Sequence, residues 1–345
     1  MAGRLLVLGA SSLVGAHLCR RARAEGFEVT AVVQPGRPTW HVDADPLPLD
    51  VSRVGTGTTA ELAAGHRVVA DCWPRGRIGA PPVSPGERRR RRVGRVRRVL
   101  DACMEAGVAR VVYLSEGATL GAGADPAGAS ERDRHVPGRG GSPRADGAFA
   151  AEAEIYRYVG AGLPVVVGVP GWILGPGDPT PDWTAPTWMA ARGEWPAVWE
   201  ERFSVVDARD VADGLLAALR SGRRGRRYAF GAAATDLESL VGASARRGGS
   251  APPDRRVPAA LVRRGRRAVE SAVGWPAGEL IDRFVSMPVI ESERAEGELN
   301  WRPRDPDETI DATVDWLDAH RRRLALEPSF APDWRRMIRS ALASG

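Results

Sequence analysis

A chain of 345 residues with 43% hydrophobic content is long enough for one large α/β domain and an appended lobe. The longest early apolar run, Leu5 to Leu8, is far too short to span a bilayer and lacks a signal-peptide h-region. Three cysteines without metal-type spacing (Cys19, Cys72, Cys103) fit a reducing compartment, so a cytoplasmic protein is expected. All 49 basic residues are arginine, so Schiff-base and amine-nucleophile chemistry is excluded, while the net charge of +6 raises the question of nucleic acid.

Strands and helices alternate from the start. Arg4–Leu8 reads as a buried strand, Leu13–Ala24 as a helix, Glu28–Val33 and Arg67–Cys72 as the next strands. A helix over Glu87–Ala106 follows, carrying the run Arg88 to Arg92. Its residues Val93, Val96, Leu100 and Cys103 share one face, which turns the arginines to solvent on the other; no aromatic set is interleaved for stacking bases. Nucleic acid, membrane and metal are therefore not expected as partners; a small-molecule substrate is. Val108–Leu114 is a strand, Phe149–Val159 a helix and Pro164–Val169 a strand. Between them the Gly/Pro/Ser-rich stretch Gly117–Gly147 reads as a mobile lid, with His135 exposed in it.

Continuous apolar strands separated by amphipathic helices predict a doubly wound parallel sheet. The expected division is 1–170, taking in 203–230, as the Rossmann-type body. A smaller, mostly helical substrate lobe spans 171–202 and 231–325, with helices over Asp236–Ala245, Ala259–Val273 and Asp307–Arg321. A short helix in 326–345 carries Trp334, Met337, Ile338 and Leu342 and is expected to dock on the body.

The segment Leu5-Leu6-Val7-Leu8-Gly9-Ala10-Ser11-Ser12-Leu13-Val14-Gly15 is a strand, a glycine turn and a helix start, where backbone N–H groups can hold a pyrophosphate. Arg110 to Ser115, Gly175-Pro176-Gly177-Asp178, Val206 to Ala212 and Glu298 to Pro303 follow in order. Together they resemble the extended short-chain dehydrogenase/reductase family, the NAD(P)-dependent epimerase/dehydratases and dihydroflavonol-reductase-like proteins, over residues 3–322. The resemblance implies a Rossmann sheet that binds NAD(P), a serine or threonine after the fifth strand, and a Tyr-x-x-x-Lys pair on the next helix. It also allows a homodimer through the helices after the fourth and fifth strands, with a monomer as the alternative, because the arginines coating the first of these would repel their symmetry mates unless acids such as Glu152 and Glu154 face them.

The sequence departs from that pattern where the chemistry lies. The Tyr/Lys pair falls near Arg144 and Ala148, and no lysine exists to restore it; the serine position falls on Glu116, just after Ser115. Ser12 replaces the middle glycine of the turn, whose cofactor set would be Gly9, Ser11, Ser12, Leu13, Val14 and Gly15. Cys72-Trp73 replaces a small pair. Asp50, with Val51, matches the acid that meets the adenine amine, and Arg37 favours the 2′-phosphate of NADP(H). Binding is expected to be weakened, and cofactor independence is the alternative.

Trp73, Trp172, Trp183 and Trp188 belong to strand ends and the loop after the sixth strand, and suggest an aromatic cleft for a bulky apolar or polyketide-like substrate. A half-desolvated carboxylate there would exchange a proton near neutrality. Glu116 is the first candidate, Asp71 the second, then Asp178 and Asp182; Ser115, Arg144 and Tyr156 would orient or stabilise a reacting oxygen. The function expected is non-redox acid/base catalysis by a cyclase, isomerase or dehydratase of specialised metabolism. The alternatives are an NADPH-dependent reductase or epimerase with an atypical proton donor, and a non-catalytic ligand sensor.

Overall fold

In the computed structural model the described residues are 3–73, 83–123, 125, 127–139, 142–263 and 275–324. The body is built on β1 (Arg4–Leu8), α1 (Leu13–Ala24), β2 (Glu28–Val33), β3 (Pro46–Pro48), α2 (Thr56–Ala63), β4 (Val68–Asp71), α3 (Pro85–Glu105), β5 (Arg110–Leu114), α4 (Pro143–Gly160) and β6 (Val165–Pro170). β7 (Trp172–Leu174), α5 (Ala185–Ala191), β8 (Arg202–Asp207), α6 (Ala208–Ser221), β9 (Arg227–Phe230), β10 (Ala233–Asp236) and α7 (Leu237–Arg247) follow. Helices Trp275–Val285, Glu293–Leu299, Pro306–Ala319 and Arg321–Leu324 close the described chain. The main sheet is parallel, in the order β3-β2-β1-β4-β5-β6-β9, the doubly wound arrangement expected from the alternating pattern.

The strands are apolar throughout because helices cover both faces. Leu5 and Val7 of β1 point into one layer with α1 and α6, while Leu6 and Leu8 point into the other with α3 and α4. α3 buries Val96, Val99, Leu100 and Cys103, the stripe its spacing predicts, and also Arg95. On its outer side Arg97 forks onto Glu154 of α4 at 2.9 Å through both nitrogens, so that acid balances an arginine within the chain. Both helices begin earlier than their apolar periodicity suggests. Ser84-Pro85 and Ser142-Pro143 place a capping hydroxyl and an N1 proline ahead of them, and the hydroxyls accept from Glu87 N (3.2 Å) and Ala145 N (3.1 Å).

The 117–147 stretch is not a free lid where it is described. Leu120, Ala129, Glu131 and His135 are buried, Ala229 N donates to Glu131 at 2.9 Å, and Arg227 donates to Asp133 O at 2.9 Å. His135 bonds Asp146 at 2.6 Å. The glycines that suggested mobility serve tight turns instead: Gly121 and Gly123 have φ of 75° and 76°, which only glycine adopts without strain. A second sheet, β10-β8-β7, belongs to the smaller lobe with its helices. The helix expected over 259–273 is seen for residues 259–263, and its remainder, like the helix expected within 326–345, lies outside the described residues. Among the described residues no helix is long and apolar enough to cross a membrane, and no cluster of His, Cys, Asp or Glu is arranged to hold a metal.

Candidate active site

β1 and β4 are neighbours whose following helices lie on opposite faces, so their carboxyl ends open a crevice; Leu8 and Asp71 are paired in register there. The crevice holds a cavity of about 70 Å³. One wall is the β1–α1 turn, with Ser12, Leu13 and Val14; Trp73 after β4 and Ser115 after β5 form the back. The loop after β7 supplies Asp178, Thr180, Asp182 and Trp183.

The turn is built for close approach. Gly9 has φ of 81°, and a Cβ on it would lie 2.5 Å from the Trp73 Cα; one on Gly15 would lie 2.3 Å from the Gly9 carbonyl. Ser12 caps α1 by accepting from Gly15 N at 3.0 Å, and its hydroxyl donates to Cys72 O at 3.0 Å. The residue in the middle-glycine position is therefore drawn toward β4 and ties the two strand ends together. Leu13 and Val14 open α1, so their amides have no acceptor within the helix and carry the positive end of its dipole.

Arg37, after β2, reaches across the crevice. It is almost buried, and its Nη1 lies 3.1 Å from Thr180 Oγ1 and 3.4 Å from Asp182 Oδ2.

Asp178 is the titratable group that stands out. Burial first, and then the Asp182 carboxylate, push its carboxyl up to about 7. Thr184 opposes this by donating its hydroxyl (3.0 Å) and amide (3.4 Å). The loop is pinned from behind by His17, whose Nε2 lies 2.7 Å from Pro176 O. Burial holds that imidazole below its ordinary range, and a neutral ring can donate to the carbonyl. Gly175 N donates to Thr313 at 2.8 Å.

The carboxylates ranked ahead of Asp178 in the sequence are engaged elsewhere. Glu116 is buried between Arg92 and Arg144, with one oxygen to each guanidinium. Asp71 takes Arg95 Nη1 on both oxygens (2.9 and 2.8 Å) and the Trp73 amide at 3.1 Å, so it shapes the turn that presents Trp73. Ser115 lines the cleft, but its hydroxyl donates to buried Glu152, which also binds Thr119 at 2.8 Å and meets Arg227 at 2.9 Å. Tyr156 stands on the far side of α4 with Glu152 and Arg227 as its charged neighbours; burial raises its hydroxyl to about 12. None of the four tyrosines lines the cleft.

The tryptophans divide. Trp73 and Trp183 are cleft walls. Trp172 is fully buried, stacked on Phe284 at 4.1 Å, and Trp188 packs with Leu317 and Leu324 in a separate small core. Strand-end position alone could not separate these cases, because β7 turns Trp172 into the second lobe's core.

The sequence matches the model of the NAD dependent epimerase/dehydratase family over residues 5–231. The chain belongs to the NAD-dependent epimerase/dehydratase family. A Synechocystis protein assigned by name to dihydroflavonol 4-reductase is 27% identical over 252 residues, covering 70% of this chain and 71% of that protein. The fold is shared with a nucleoside-diphosphate-sugar epimerase of Pseudomonas aeruginosa (TM-score 0.78, 21% identity, 93% of this chain and 99% of the other). It is shared too with the dTDP-glucose 4,6-dehydratase DesIV of Streptomyces venezuelae, solved with NAD bound (TM-score 0.75, 18% identity, 93% and 98%).

At the β1–α1 turn the residues fit the dinucleotide of this family. The Leu13 and Val14 amides suit a pyrophosphate. Asp50, held by Ser52 N at 2.9 Å and Arg53 at 3.3 Å, stands after β3 with Val51 buried beside it. The chain has no lysine, and none of its four tyrosines lines the cleft. α4 begins at Pro143, with the buried Arg144 next.

Proposed function

We propose that this epimerase/dehydratase-family protein is an enzyme that moves protons on a small molecule without net redox change, as an isomerase, cyclase or dehydratase would, with Asp178 as the proton-transfer group. The observation that carries this is a buried carboxyl poised near pH 7 on the wall of the family's ligand crevice. Half-titrated at neutral pH, it can take a proton from an acidic carbon or hydroxyl and return it elsewhere. Thr184 orients it, His17 and Thr313 fix its loop, and Trp73 and Trp183 exclude water from the reacting face.

A bound dinucleotide would supply hydride chemistry. Leu13 and Val14 would hold its pyrophosphate, Asp50 its adenine edge, and Arg37, once released from Asp182, a 2′-phosphate. None of the chain's tyrosines lines the cleft to accompany hydride transfer. With only two of four tryptophans in the cleft, the substrate need not be polycyclic; a compact planar molecule suits the space better.

The test is incubation of the protein with metabolite extracts in deuterated water. Expected is deuterium incorporation or loss of water in a specific compound, with no steady change in NADPH absorbance, abolished in Asp178→Asn while the fold persists. Sustained NADPH consumption that survives Asp178→Asn would favour the reductase reading instead.

A further inference from the structure

Most of the cavity lining is buried, Asp178 and Ser115 included, whereas Ser12, Arg37, Asp182 and Trp183 keep some surface in solvent. These four therefore mark its mouth. Across that mouth Arg37 spans from the turn after β2 to the loop after β7, giving Nη1 to Thr180 Oγ1 at 3.1 Å and to Asp182 Oδ2 at 3.4 Å. Both contacts run through one nitrogen, and both are long beside the about 2.7–2.9 Å at which a charge-assisted bond settles. A tight pair in the same crevice looks different: Arg95 meets Asp71 on both oxygens at 2.9 and 2.8 Å, and both residues are buried.

The two sides of the Arg37 contact are held unequally. Asp182 is anchored through its backbone, whose carbonyl accepts from Arg283 Nη1 at 3.1 Å. Its loop is tied further at Asp178 by Thr184 and at Pro176 by His17. Arg37 instead ends a turn, Gln34-Pro35-Gly36-Arg37, whose Pro35 and Gly36 are exposed and which Arg37 N closes onto Gln34 O at 3.2 Å. Gly36 has φ of 77°, and a Cβ on it would meet nothing within 4 Å. The turn has open space around it, so motion at the mouth falls to the Arg37 side.

We propose that Arg37 is a latch on the cleft: its contact with Thr180 and Asp182 closes the mouth over Asp178, and a swing of the 34–37 turn opens it to admit ligand. A single ion contact at a solvent edge is weak and screened by salt, so it breaks and re-forms readily, as an access gate must. An anionic group on the ligand competes with Asp182 for the guanidinium and so holds the open form. The inference rests on the reading of this cavity as the ligand site. Its test needs no turnover, so the latch and the proton-transfer reading stand or fall separately.

The experiment times the labelling of a thiol on the cavity wall. Ser115→Cys supplies the thiol, and methyl methanethiosulfonate, small and neutral, is the reagent; peptide mass spectrometry reads each cysteine. Cys19 and Cys103, buried thiols pushed up to about 12, should stay unlabelled while the chain is folded. In that background Arg37→Gln and Asp182→Ala should each speed labelling about fivefold, the net worth of one such contact. Circular dichroism checks the fold of each. The double variant should be no faster than either single one, because the same contact is lost in all three. Salt at about 1 M, where the Debye length is about 3 Å, should speed labelling of the Ser115→Cys chain and leave the latch variants unchanged. The latch is overturned if neither single variant changes the rate, if their effects multiply, or if salt has no effect. Labelling of Cys19 and Cys103 in step with position 115 overturns it too, since the thiol is then reached by unfolding.

Discussion

Replacing Asp178 with asparagine removes a charge while keeping the shape and an acceptor for Thr184, so it isolates the effect of burying the carboxylate. The group ionises at 3.8 in an ordinary setting and at about 7 in the fold. Between those values the native state holds a proton that the unfolded chain has released. The sign follows: the stability tied to this group is fully present below about pH 4 and is lost as pH rises through 7. At 1.36 kcal/mol for each tenfold change in the ionisation constant, complete ionisation costs the fold about 4 kcal/mol. Asp178→Asn should match the parent near pH 4 and exceed it by up to about 4 kcal/mol above pH 8, measured by urea denaturation across that range. A difference that is the same at every pH, or that favours the parent as pH rises, would refute the reasoning.

Other outcomes follow from the same contacts. Glu116→Gln should cost about 3–5 kcal/mol, because it leaves Arg92 and Arg144 buried without their shared anion, and any loss of turnover should track loss of fold in thermal melts. Trp172→Ala should cost about 3–5 kcal/mol by opening a hole against Phe284, whereas Trp73→Ala at the cleft wall should cost less and chiefly alter ligand binding; paired denaturation and titration distinguish them. Asp182→Asn should strengthen NADPH binding, read by fluorescence enhancement, because Arg37 is then less firmly held across the crevice. Arg37→Gln should weaken NADPH about tenfold and leave NADH unchanged.

The sheet was legible in the sequence because its strands are apolar on both faces and its helices amphipathic: β1, α1 and β2 run over the residues their patterns indicate. The short strands β3, β7 and β10 escape such reading, being three or four residues long with no full period of their own. The glycine-rich 117–147 stretch misleads for a different reason. Composition reports turns, and only the tertiary partners Arg227, Ala229 and Asp146 reveal that these turns are pinned.

In the site, the absence of lysine could be read directly from the sequence. The ranking of carboxylates could not, because it depends on which arginines arrive from distant elements. Arg92 and Arg95 sit one turn apart on α3, and both face inward to neutralise Glu116 and Asp71. Asp178, a wall of the cleft, is instead held by Thr184, and burial raises its carboxyl to about 7. His17 and Thr184, which hold that loop, carry no motif; only their place beside Pro176 and Asp178 marks them.

The most direct test is a carboxyl-carbon NMR titration of the protein labelled at aspartate, with Asp178 assigned by its loss in Asp178→Asn. The account predicts a resonance that titrates with a midpoint near 7. An Asp178 carboxyl already ionised at about pH 5, as ordinary aspartates are, would contradict it.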